Sequence, residues 1–304
     1  MNSSFAQTRR LSDTRRELLV AGLAYLAYEV ARLWAVGDTG TALATGRAIL
    51  EAEELVGLDV EAGLNAAFGA IPLVAVASCY FYALCHYLVT PIVLVWLFRT
   101  DRVTYRRGRT ALLVATAAGF LGHWLLPTAP PRMLPGFDDT MATWAAWGWW
   151  GGSGGVPSGM EGLANPVAAM PSLHVGWAVW CGWYLFRVSK RPVVRAVGVV
   201  YPIATTVVVV GTANHYLLDA VAGAAVIAFG AAVAGASEWI RPGLLRPGTA
   251  AHVPHVPAQR PSEDEVAVPE QARPTYADTP PPAPPPASPP IPRQRGRDQD
   301  GAAA

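Results

Sequence analysis

Charge is scarce in this chain. Only 15% of its 304 residues are Asp, Glu, Lys or Arg, whereas 52% are hydrophobic and mean hydropathy is +0.27. A soluble domain carries about a quarter charged residues, so this composition excludes one and places the chain in a bilayer. The net charge of +1 is segregated by position and not gathered on one surface, so no nucleic-acid partner is expected. Cysteine is scarce as well. Cys79, Cys85 and Cys181 all lie inside apolar runs, which excludes a disulfide framework and a thiolate metal cluster and leaves them as packing residues.

No small-residue cleavage site follows the N-terminal arginines. Thr8-Arg9-Arg10-Leu11 is only faintly similar to a twin-arginine signal, and the first apolar run reads as an uncleaved span. An internal inverted repeat, the mark of many carriers, is also missing.

What the chain has is length of apolar sequence. A hydrocarbon core of about 30 Å takes roughly 20 residues of helix, and stretches of that size lie near 18–36, 71–98, 110–127, 170–188, 192–211 and 215–236. The expected fold is therefore all-α, a six-transmembrane-helix bundle. Basic residues near span ends stay cytoplasmic. The N-terminal arginines, the links holding Arg99 to Arg109 and Arg187 to Arg195, and Arg241 all fall on one side, so both termini are expected in the cytoplasm and the chain in the plasma membrane.

The chain divides into three parts. Residues 1–17 form a cytoplasmic segment, 18–240 the membrane catalytic domain, and 241–304 a proline-rich cytoplasmic tail. The tail buries too little apolar surface to offset its ordering entropy and reads as disordered. Residues 37–70 mix Ile49, Leu50 and Leu55 with Glu51, Glu53 and Glu54, a pattern suited to an external helix lying in the interface, with a soluble cap as the alternative. Trp144, Trp147, Trp149 and Trp150, followed by Gly151 to Gly155, read either as a lid or as an aromatic belt.

Alternating crossings bring Arg132, His174, His215 and Asp219 to one leaflet. His215 and Asp219 stand at i, i+4 on one helical face, where the carboxylate can fix the imidazole tautomer and leave the other nitrogen as a nucleophile. His174 opens a helix after Pro171-Ser172, where free N–H groups, the Ser172 hydroxyl and the helix dipole favour a phosphate and His174 can protonate a leaving oxygen. Arg132, held by Pro130-Pro131, has the planar fork that binds phosphate, and His123 is placed to line the cavity. Glu29 and Arg32 read as a neutralising i, i+3 pair, and His86 as an interhelical histidine.

Pro171-Ser172-Leu173-His174 and His215-Tyr216-Leu217-Leu218-Asp219 resemble the second and third signatures of the type 2 phosphatidic acid phosphatase superfamily, membrane enzymes with a six-helix core. The resemblance implies His215 as the nucleophile that forms a phosphohistidine, Asp219 as its partner and His174 as the acid. Departures are specific. Leu125 stands where the phosphatase pattern has a lysine, Val209 where it has an arginine, Leu173 where it has a glycine, and Met133 follows Arg132. With Pro130-Pro131-Arg132 and Asn214-His215-Tyr216, they look more like the branch of inositol phosphorylceramide synthase and the sphingomyelin synthases. Asn214 and Ser172 join Arg132 and His123 as expected substrate-binding residues.

The implied substrate is a lipid phosphate, with no cofactor and no metal required. Two other classes compete: a haem protein with His174 and His215 as axial ligands, and an anionic-lipid carrier using the same groups to bind without reacting. Oligomeric state is not readable.

Overall fold

The computed structural model describes residues 38–150 and 165–244, with side chains to 236, and a few positions between 15 and 26. Glu29, Arg32, Gly151 to Gly155 and the proline-rich tail lie outside the described residues. The described chain is all-helical: α1 (Thr39–Leu55), α2 (Glu61–Gly69), α3 (Pro72–Thr100), α4 (Arg102–Leu125), the short α5 (Thr140–Thr143), α6 (Leu173–Val188), α7 (Pro192–Gly211) and α8 (Leu217–Leu244). Single 3-10 turns lie at Pro131–Met133 and Ala145–Trp147.

Local chemistry sets the boundaries. Asp38 accepts from Thr41 N at the start of α1, and Asp101 accepts from Val103 N and Thr104 N at the start of α4. Such caps contribute about 1 kcal/mol each by satisfying orphaned donors. Pro72 and Pro192 open α3 and α7, where a missing N–H costs nothing. Gly57, at φ +72°, stops α1. The segment expected as one interfacial helix is thus two helices, α1 and α2.

Among the described residues, three helices are long and apolar enough to cross a membrane: Pro72–Thr100, Pro192–Gly211 and Leu217–Ala236. Of the other expected spans, 110–127 belongs to α4, whose first turns carry Arg102, Arg106, Arg107 and Arg109, and 170–188 belongs to α6, which has 16 residues and so reaches only about 24 Å at 1.5 Å per residue. The expected first span falls mostly outside the described residues. Leu73, Ile92, Val193, Val200 and Phe229 point outward from the long helices, as lipid-facing side chains do.

Inside, α6 packs against α7 and α8, and α8 against α4. One core cluster joins Val93, Leu97, Leu112, Trp180, Tyr201 and Ile227; another, at the end where α6 and α8 begin, joins Cys79, Tyr82, Met141, Trp150, Val175 and Val209. Trp150 belongs to that core, fully buried with Nε1 donating to Met141 O at 3.0 Å, while Trp147 is exposed. Cys79 and Cys181 are buried and Cys85 half-buried, all as free thiols.

Helices α6 and α8 touch backbone to backbone. A Cβ on Gly176 would stand 2.9 Å from Gly223 O, and one on Gly223 would strike Ser172 O. Gly223→Ala is therefore expected to cost about 1–3 kcal/mol through overpacking. The check is a thermal melt of the purified protein in detergent, with a lowered midpoint expected.

Candidate active site

The turn between α7 and α8 is built around a left-handed alanine. Ala213 has φ 54°, a conformation that costs a residue with a Cβ about 1–2 kcal/mol. Hydrogen bonds offset that strain. Asn214 N and His215 N both donate to Val209 O, at 3.0 and 3.1 Å, and Ala213 O accepts from Arg132 N at 2.9 Å. The turn thus fixes His215 and ties it to the arginine segment in one motif.

His215 is buried and its tautomer is determined by its partners. Nδ1 lies 2.9 Å from Ala169 O and 3.3 Å from Asp219 Oδ2. A carbonyl oxygen only accepts, so Nδ1 carries the proton and Nε2 keeps its lone pair. Asp219, fully buried, also accepts from Tyr216 N at 3.0 Å. Ala169 is held in turn by a bridge to the end of α4: Thr128 N donates to Val167 O at 2.8 Å and Ala169 N to Thr128 O at 3.1 Å.

His174, in the first turn of α6, faces this imidazole with ring centroids 5.6 Å apart. Tyr82 of α3 stacks on the His174 ring at 4.4 Å, and His86 meets it edge-on at 4.3 Å. His86 Nδ1 lies 3.0 Å from Tyr82 O, so it too donates and leaves Nε2 as an acceptor. Three imidazoles therefore converge: His86 on α3, His174 on α6 and His215 in the turn just before α8.

Arg132 reaches the same place from the 3-10 turn. Its guanidinium donates to Asn214 Oδ1, beside His215, and its Nε lies 3.6 Å from Asp139 Oδ2. Asn214 is buried and spends Nδ2 on Thr212 Oγ1 at 2.9 Å, so it orients the arginine. Ser172 is fully buried and its Oγ accepts from Val175 N at 3.4 Å, capping α6. His123 donates from Nε2 to Pro171 O at 2.9 Å and thereby steadies the same corner. Of the expected site residues, then, His174, His215, Asp219, Arg132 and Asn214 form one cluster; Ser172 and His123 buttress the backbone beneath it.

The PAP2 superfamily model matches residues 47–233 of this chain. The chain belongs to the PAP2 superfamily. The matched span contains every residue of the cluster, and the superfamily's members are generally phosphatases or phosphotransferases. No curated protein and no solved structure matches the chain.

Beyond the expected residues, this PAP2 superfamily member brings further groups to the site. Tyr216 is fully buried, and its hydroxyl donates to Ala129 O at 2.7 Å; a Cβ on Gly46 of α1 would stand 2.6 Å from that hydroxyl oxygen. Glu53 and Glu61, fully buried, accept from Leu218 N at 2.6 Å and Leu217 N at 3.0 Å, at the very start of α8. The sequence signal for Glu53 and Glu61 is slight: carboxylates on amphipathic helices read as solvated. Among the described residues no group of three or more His, Cys, Asp or Glu side chains is arranged to hold a metal ion.

Proposed function

We propose that the protein is a membrane lipid phosphatase or phosphotransferase that works through a phosphohistidine on His215, at the extracytoplasmic leaflet. The observation that carries this reading is the pair of facing imidazoles, 5.6 Å apart, one of which has its Nδ1 proton committed to Ala169 O and Asp219. Nε2 of His215 attacks phosphorus as the bond from phosphorus to the departing oxygen breaks, and His174 gives that oxygen its proton. The Nδ1 proton, shared between a carbonyl and a carboxylate, stabilises the positive ring that forms. Water or an acceptor hydroxyl then displaces the histidine from phosphorus, and His174 takes the proton that this incoming O–H gives up. Arg132, aimed by Asn214, meets the non-bridging oxygens.

Transfer of a phospho-headgroup between lipids, as in the inositol phosphorylceramide synthase branch, is favoured over hydrolysis by the charge at the site. Leu125, where the phosphatase pattern has a lysine, is 66% exposed on α4, and Val209, where it has an arginine, is buried in the core. A phosphodiester carries one negative charge fewer than a phosphomonoester and suits a site to which the described residues bring one guanidinium, that of Arg132. Purified protein supplied in turn with phosphatidic acid, phosphatidylinositol and a polyprenyl phosphate, each with a hydroxyl-bearing lipid, is expected to yield a new phosphodiester by mass spectrometry. Inorganic phosphate alone would make it a hydrolase, and no phosphorylated product from any of the three would overturn the proposal.

A further inference from the structure

We infer that Glu53 and Glu61 form a proton-sharing carboxyl pair that positions the nucleophile, by capping the helix that starts beside His215. The inference rests on the reading of His215 as the nucleophile.

The first N–H groups of a helix have no partner within it. At the start of α8 they are met from a distance: Leu217 N donates to Glu61 of α2 and Leu218 N to Glu53 of α1, across 156 and 165 residues of chain. Tyr216 N, one residue earlier, goes to Asp219. Three carboxyl groups therefore converge on one turn of backbone, and each keeps one oxygen, Glu53 Oε2, Glu61 Oε2 and Asp219 Oδ1, buried without a hydrogen-bond partner. Buried oxygens of that kind are costly when charged and unmatched. A single proton on Glu53 remedies much of this: it turns an acceptor into a donor toward Glu61 and removes one of three like charges.

The groups facing Glu53 are Glu61 from α2, Asp219 from α8 and the Leu218 N–H, with Tyr216 and Arg132 just beyond. Burial above all, then the hydrogen bond and charge of Glu61 and the charge of Asp219, lift the Glu53 carboxyl from 4.5 to about 8, against the pull of the Leu218 N–H. Between those values the folded chain holds a proton that the unfolded chain has released, so the stability it contributes is full below 4.5 and is lost as pH rises to about 8. Once that proton leaves, the pair repels and its grip on the α8 start loosens, which displaces His215.

Glu53→Gln imitates the protonated acid permanently, because its oxygen still accepts from Leu218 N and its amide donates to Glu61. Glu53→Ala removes the cap. The test measures the thermal midpoint in detergent, and turnover of phosphatidic acid in mixed micelles, from pH 6 to pH 9. Wild type is expected to lose both midpoint and kcat on the alkaline side. Glu53→Gln is expected to flatten both declines, and Glu53→Ala to lower kcat about tenfold with little change in KM, as loss of a positioning group does. If the midpoint of Glu53→Gln declines with pH as the wild type's does, or if glutamine damages kcat as much as alanine, the shared proton is refuted. The midpoint needs no turnover, so it decides this question even if phosphatidic acid is no substrate, an outcome that would count against that phosphomonoester as the donor and not against the shared proton.

Discussion

His215→Ala is expected to reduce turnover by about three orders of magnitude or more, the scale on which covalent enzymes lose their nucleophile. The reason is positional. Nothing else among the described residues presents an imidazole nitrogen whose partner nitrogen is held by both a carbonyl and a carboxylate. The same substitution is expected to abolish an acid-labile phosphoenzyme, trapped by rapid quenching with a radiolabelled lipid phosphate. Asp219→Asn, run alongside, is expected to fall between the two, because Ala169 O still holds the Nδ1 proton while the stabilising charge is gone. A phosphoenzyme that forms without residue 215 would refute the covalent assignment, and binding with no phosphoenzyme in the wild type would favour a carrier.

The second large effect is at His174. His174→Ala is expected to lower kcat by about 10²–10⁴-fold on a lipid whose departing group is an alkoxide, the range over which general acids contribute. An alkoxide leaves poorly without a proton, whereas an activated aryl oxide leaves well without one. The deficit is therefore expected to shrink to within about tenfold on an aryl phosphate ester, as acid catalysis becomes superfluous. Equal losses on both substrates would mean that His174 shapes the cleft, through its stack with Tyr82, and does not donate a proton.

Much of this cluster is legible in the chain before any fold is drawn, and for an identifiable reason. His174, His215 and Asp219 sit at the ends of apolar runs, and a helix can be placed in a bilayer by counting, so the ends that share a side can be named. The i, i+4 spacing of His215 and Asp219 needs no tertiary knowledge. What escapes is whatever lacks a side-chain signature or depends on remote packing. Ala169 supplies the shorter bond to His215 through its carbonyl, and a backbone oxygen leaves no mark in a sequence. Glu53 and Glu61 face inward because the start of α8 requires acceptors, a demand written more than a hundred and fifty residues away. His86 read as a histidine satisfied between helices; its Nδ1 is satisfied within α3, by Tyr82 O one turn back, and its edge rests on His174. Ser172, expected to cradle phosphate, caps α6 by accepting from Val175 N, which leaves its hydroxyl proton to donate.

Tyr216 has a mechanical consequence. A phenol ring has only two rotatable bonds, and this one is clamped at both ends, to the residue after His215 and to the carbonyl just ahead of Pro130-Pro131-Arg132. It works as a strut. A displacement of the arginine loop would therefore be transmitted to the histidine turn, and under the proposed mechanism Arg132 and His215 would move in step. Gly46 is the notch in which that strut is seated.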